Sequence, residues 1–417
     1  MNVEIAVNGS TAPNAAYVSW APSPCRIRVV DAGGATVPVN VTVGNAATTA
    51  GGRLVFWGVL PSSPQSSLAL TLPVDGTPTD FWVGGQFGSP SGADKDTTLE
   101  VVSGNAVVGT LAMMVRIRKN ANSLTDAERD RFLAAMAKLN DRGHGPFKTY
   151  RDMHTNAAVG EAHNAAGFPP WHRTYILDLE RSLQEIDSSV ALPYWRFDQP
   201  APRLFAPDFL GTSPGNGNVQ LAASNPLIYW TTDGVVGFMR YPFFQTPTSA
   251  AMAQDGTPVK VEGDTLNTGG GVYEPFRDGN SGALEDDPHG MAHVSFNGPI
   301  DSIPTAARDP LFFLLHANVD RLWAKWQWYF QRFDYRVVQS FDQTQQRVGH
   351  NLGDTMWPWN GMTTPPRPPT APGGGLRGSP VSLAPGQTPR VLDLLDFQGR
   401  ITTQARLGYD YDDVPFE

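Results

Sequence analysis

Residues 309–326 read DPLFFLLHANVDRLWAKW, and this stretch decides how the rest of the chain is read. Asp309 followed by Pro310 predicts a helix start, because proline has no N–H to leave unpaired in a first turn. At 100° per residue, Phe312, His316, Val319, Asp320 and Trp323 fall on one face. A histidine between aromatics and beside a carboxylate is either a satisfied core residue or a metal ligand. The positions of the other histidines tilt the reading toward a ligand.

The chain holds eight histidines: 144, 154, 163, 172, 289, 293, 316 and 350. None lies in the first 143 residues, four crowd into 144–172, and two sit four apart at 289 and 293. Imidazole clusters without thiolates suit zinc, copper, iron or nickel, and a single cysteine excludes Cys-rich zinc or iron–sulfur sites.

A length of 417 residues implies two domains, or one domain with an appendage. Hydrophobic residues at 41% and charged residues at 17% describe an ordinary globular protein. A net charge of −9 argues against nucleic acid or an anionic membrane as partner. No apolar run is long enough to span a bilayer. The opening MNVEIAVNGS lacks the basic and apolar regions of a secretory signal, so a cytoplasmic location is expected.

Residues 1–115 carry short alternating runs, such as Val37, Val39, Val41, Val43 and Leu68, Leu70, Leu72, separated by Asn-Gly, Gly-Gly and Pro-Ser turns. Seven or eight strands in a β-sandwich-like module are expected. Helical periodicity begins after Arg116. SLTDAERDRFLAAMAKLNDR predicts a helix capped by Ser123, and residues 146–156 a second with Phe147, Tyr150 and His154 on one face. His163 falls on a loop, because Gly160, Gly167 and Pro169–Pro170 interrupt the pattern. PPWHRTYILDLERSLQEI resumes a helix with His172 in its first turn. His289 and His293, spaced i,i+4, present two nitrogens from one helical face. Gly290 stands where HExxH would place its glutamate, so the metalloprotease reading loses its base. The expected architecture is a mainly α catalytic domain at 116–360, a four-helix bundle with a loop-rich periphery, behind the β module. A Pro/Gly-rich linker and tail at 361–417 should pack back on the catalytic domain.

His163…FPPWHR, PHGMAH and DPLFFLLHANVDRLW, in that order, resemble the tyrosinase and polyphenol oxidase family over roughly residues 116–360. The resemblance implies two copper ions, copper A at His154, His163 and His172 and copper B at His289, His293 and His316. TYRDMHTN is similar to the family's first-ligand helix, which favours His154 over its neighbour His144. His350 matches no ligand position and is expected to be exposed. The resemblance also implies that Glu285 holds a water able to take the phenol proton. Gly290 stands where many monophenol-active members carry an asparagine, and Ile303 at the place of the aromatic gate of plant members. Phe312 would pack beside the metals, and Asp320 would orient an imidazole or an arginine; the plainer alternative is a surface ion pair with Arg321 or Lys325.

Several departures point to a bacterial-type branch. Glu161 occupies the site of the cysteine that forms a Cys–His thioether in other members. Leu315 replaces an extra histidine, and WRF at 195–197 replaces WDW. Tyr409-Asp410-Tyr411 resembles the family's closing tyrosine motif, with Arg116 or Arg118 as its partner. The implied activity is O2-dependent conversion of o-diphenols to o-quinones with some monophenol hydroxylation. The partners are then O2 and a small phenol, and a copper-delivery partner is left open. The alternatives are a hemocyanin-like dioxygen carrier, an o-aminophenol oxidase, and a generic zinc hydrolase.

Overall fold

Alternation in the first hundred residues translates directly into paired strands. In the computed structural model, which describes residues 1–215, 217–278, 283–344 and 346–416, Val41 faces Leu70 and Val43 faces Leu68 across an antiparallel ladder. Nine strands form among the described residues of this region. They are β1 (Asn2–Val7), β2 (Tyr17–Val18), β3 (Ser23–Asp31), β4 (Val39–Asn45), β5 (Leu54–Trp57), β6 (Ser67–Leu72), β7 (Thr79–Gly85), β8 (Thr97–Ser103) and β9 (Ala106–Val115). One sheet has the order β1-β3-β7-β5 and the other β2-β9-β8-β4-β6. Every second residue of β3 points inward, and Ile27, Val29 and Val83 share one core with Val43, Leu99 and Val101 of the opposite sheet. A period of two with one apolar face makes a sandwich.

The chain divides into two compact units: residues 1–118 with 379–384 and 397–417, and residues 119–378 with 385–396. The tail expected to pack wholly on the catalytic domain is therefore shared out. Its last part belongs with the β unit because buried polar groups there need one another. Asp410 accepts the Ala21 N–H at 3.0 Å, Trp20 Nε1 donates to the Tyr411 carbonyl at 2.8 Å, and Arg406 Nη1 donates to Ser23 Oγ at 3.2 Å. Of the two candidate arginines, Arg118 meets the tyrosine motif, its Nη1 donating to Tyr411 Oη at 2.8 Å while its guanidinium lies 3.5 Å from the Tyr409 ring centre.

The second unit is helical at its centre. Its helices are α1 (Asp126–Asn140), α2 (Phe147–Met153), α3 (Phe168–Ile186), α4 (Met291–Val294) and α5 (Leu311–Phe330), with further short helical turns between them. Thr125, not Ser123, caps α1, in a reciprocal capping box with Glu128. Only α3 and α5 are long and buried on nearly every side, as core helices must be. The segments around them are shorter. α2 is seven residues long, and the 285–294 segment is a π turn (Glu285–Gly290), kinked inside at Asp287 just before Pro288, that runs on into α4. Of the segment 282–298, Gly282 lies outside the described residues.

Buried ion pairs hold elements of this unit together. Asp309 accepts the Leu311 N–H at 2.9 Å and both guanidinium arms of Arg240 at 2.5 and 2.6 Å, anchoring the start of α5 to the loop-rich region. Asp320 on α5 meets Arg173 on α3 at 2.5 Å, both side chains fully enclosed. Among the described residues, no helix is long and apolar enough to cross a membrane.

Candidate metal centre

The six clustered histidines come from helices, helix ends and turns of this unit. His154 follows the last residue of α2, His163 follows a short helical turn at Val159–Ala162, and His172 lies on the first turns of α3. His289 closes the π turn, His293 sits on α4, and His316 on α5. The fold brings these six rings together. Ring centres within the first group lie 5.0–5.6 Å apart, at 5.3 Å for 154–163, 5.0 Å for 163–172 and 5.6 Å for 154–172. In the second group they are 4.8 Å for 289–293, 4.9 Å for 289–316 and 5.4 Å for 293–316.

By donor atoms the tightest triples are His154, His172, His316 and His289, His293, His316, each with its ligand atoms within 4.8 Å of one another. His316 thus belongs to both, and His163 enters through His154, their Nε2 atoms 3.1 Å apart. The six nitrogens form one continuous set rather than two isolated clusters.

The hydrogen bonds fix how these rings present themselves. Nδ1 of His154 donates to the Ile303 carbonyl at 2.9 Å, and that of His172 to the Phe168 carbonyl at 2.9 Å. His289 and His293 donate to the carbonyls of Glu285 and Ile300, both at 2.6 Å. A ring whose Nδ1 carries the proton turns a bare lone pair inward on Nε2. The Nε2 lone pair of His154 faces His163 Nε2 at 3.1 Å, and that of His293 faces His316 Nε2 at 3.3 Å. Nε2 of His172 and of His289 is buried with no hydrogen-bond partner, as is Nδ1 of His316. Converging unpaired acceptors repel unless a cation sits among them, so this donor set fits metal ions of the imidazole-binding kind. Burial, reinforced by the neighbouring imidazoles, holds His154, His172, His289 and His316 well below the usual histidine range, and burial lowers His293 to about 4. The rings are therefore neutral near pH 7, the form that binds a metal.

The other expected site residues are distributed around this set. Phe312 is fully buried, its ring centre 4.3 Å from His316 and 4.7 Å from His154. Asp320 meets an arginine, Arg173, while Arg321 and Lys325 both pair with Glu262. Glu285 is buried, accepting the Asn164 N–H at 2.5 Å and Arg277 Nη1 at 2.8 Å, and lies 3.5 Å from His163 Nδ1. Gly290 is half-buried, and an added Cβ would have the Glu285 carbonyl as its nearest neighbour at 3.5 Å. Ile303 meets the site through its backbone carbonyl.

His144 is exposed and takes no place in the cluster. His350 was expected at the surface and is instead fully buried. Its Nδ1 accepts the Gly167 N–H and its Nε2 donates to the Gly160 carbonyl, each at 2.8 Å, which leaves it no lone pair for a metal. Sequence reading missed this residue because its partners are backbone groups nearly 200 positions away. It missed Arg173 as the partner of Asp320 for a similar reason, although an arginine directly after His172 was there to be noticed.

The chain matches the model of the common central domain of tyrosinase over residues 144–329. It is 31% identical over 277 residues to a tyrosinase of Streptomyces antibioticus, covering 59% of this chain and 94% of that protein. It is 33% identical over 267 residues to a tyrosinase of Streptomyces glaucescens, covering 58% and 92%. Among solved structures, a functional unit of octopus hemocyanin aligns with a TM-score of 0.46 at 21% identity, covering 72% of this chain and 69% of that one. The chain belongs to the tyrosinase family of type-3 copper oxidoreductases.

Proposed function

We propose that the chain uses O2 to oxidise o-diphenols to o-quinones and hydroxylates monophenols more slowly. In this reading His154, His163 and His172 hold one copper ion and His289, His293 and His316 the other. The observation that carries it is the convergence of six buried imidazoles, with Nε2 of His172 and of His289 left without a hydrogen-bond partner. Bound copper would supply the two-electron exchange that couples oxidation of the phenolic ring to reduction of O2.

The residues of the chain would do the rest. Backbone carbonyls of Phe168, Glu285, Ile300 and Ile303 keep four rings in the ligating tautomer, and Phe312 wedges between His154 and His316 to hold both rings against rotation. His293, at 9% exposure, is the least buried of the six rings and His316, at 0%, the most, so a small phenol would approach from the side of His293 and Ile303. Ile303 would bound that entrance, narrowing it less than an aromatic residue. Each oxygen of Glu285 keeps a further lone pair beyond its bonds to Asn164 and Arg277, enough for the carboxylate to receive the phenol proton through a water. Gly290 offers no side-chain amide to polarise such a water, which favours diphenols over monophenols.

Metal analysis of copper-loaded protein together with oxygen uptake tests the reading. Two coppers per chain and rapid uptake with catechol are expected, with slower uptake on tyrosine. One ion per chain, or no uptake, would overturn it. Reversible O2 binding without catechol turnover would mark a carrier, and faster uptake on o-aminophenol than on catechol an aminophenol oxidase.

A further inference from the structure

The loop that carries His163 is gripped from behind by a segment almost two hundred residues later. His350 bridges its two ends, accepting the Gly167 N–H and donating to the Gly160 carbonyl, both at 2.8 Å. Arg347 adds Nη2 to the same Gly160 carbonyl at 2.9 Å and Nη1 to the Asn164 carbonyl at 3.1 Å. Glu161, two residues before His163, accepts the Trp357 N–H at 2.9 Å and also takes the Nε of Arg367.

The junction has no slack. A Cβ on Gly167 would lie 2.7 Å from the Gly349 carbonyl oxygen and 2.8 Å from His350 Nδ1. A Cβ on Gly349, whose φ is +87°, would lie 2.6 Å from Glu161 Cγ. Two glycines, one on each strand of the contact, let the chains approach this closely. Between these anchors Asn164 holds a left-handed φ of +61°, and its N–H is taken by Glu285. The conformation of the loop is thus imposed from outside, since His163 itself lies in no regular helix or strand.

We propose that residues 347–367 form a non-covalent tether for the His163 loop, with His350 as a positioning residue that acts through Gly160 and Gly167. His350 touches no other histidine of the cluster. Its two bonds set the spacing of the loop ends, and so the direction in which the His163 ring points. Losing it should loosen one ligand and leave His289, His293 and His316 in place. The proposal rests on reading His163 as a copper ligand.

The test is copper release from the loaded full chain to an excess of a copper chelator, followed for wild type, His350→Leu and His350→Gln. Leucine fills the space without either polar bond, whereas glutamine offers both a donor and an acceptor. In His350→Leu one ion should leave about 10-fold faster or more, the range seen when groups behind a ligand are removed, and the other at the wild-type rate. His350→Gln should restore most of the difference. The electron paramagnetic resonance spectrum of the half-loaded His350→Leu protein should match that of His163→Ala. Release of both ions at wild-type rates, or equal acceleration of both, would overturn the tether. Should His350→Leu fail to fold, Arg347→Gln carries the test, since Arg347 is exposed, and unchanged release in that variant would overturn the proposal. Wild-type protein that takes up no copper pair would instead remove the functional reading beneath it.

Discussion

The imidazoles of His172 and His316 stack face to face, ring centres 4.2 Å apart and planes within 7°, although one comes from α3 and the other from α5. Neither ring belongs to the same expected triad as the other. The stack therefore joins the two halves of the site and fixes the distance between them, in a core where neither helix can shift without the other.

His172→Ala or His293→Ala should remove one copper per chain and nearly all turnover, because on the proposed assignment each deletes one of the three nitrogens that would hold an ion. Metal content and oxygen uptake with catechol, measured on the same preparation, check both parts. A variant that keeps two coppers and normal turnover would remove that residue from the ligand set.

The α3–α5 contact next to the stack depends on a buried ion pair. Asp320→Ala leaves Arg173 charged and enclosed, and the cost of stranding one partner is about 3–5 kcal/mol. Asp320→Asn keeps an oxygen to accept from Nε and should lose less. Denaturant unfolding of both variants gives the comparison; equal stability to wild type would mean the pair contributes nothing net.

Gly290→Asn should raise the ratio of monophenol to diphenol turnover. The position tolerates a side chain, since the backbone there has ordinary helical angles and the nearest atom to a new Cβ is 3.5 Å away. Initial rates on tyrosine and on its catechol derivative give the ratio. No change in it would mean that the phenol proton is handled without a group at this position.

Tyr411→Phe removes the hydroxyl that receives Arg118 Nη1, in a fully buried setting. A hydrogen bond to a charged donor is worth about 1.5–3 kcal/mol, so thermal unfolding of the first unit should shift down accordingly. The stacking of Arg118 on Tyr409 remains in this variant, which limits the loss.

Much of this protein is written in local pattern. The alternation of Val39–Val43 with Leu68–Leu72 specifies strands facing one core, since a period of two leaves no other way to bury one face. The apolar length of α3 and α5 likewise fixes two buried helices. The six clustered histidines could be selected from eight by spacing and by the motifs around them. Local pattern failed where a residue's role is set by something far away in the chain. His350 looked like a surface histidine because nothing near it in sequence needs an imidazole; two backbone groups of the His163 loop do. Asp320 was legible as a buried carboxylate, but only the packing of α3 on α5 brings Arg173 to it. The spacing of His289 and His293 reads as helical, yet the backbone just before them leaves helical geometry at Asp287, because the residue ahead of a proline is pushed toward extended angles. Sequence determined which side chains enter the core, because burial follows periodicity; tertiary structure decided which of them meet, because hydrogen bonds and ion pairs are completed by whichever partner the fold brings within 3 Å.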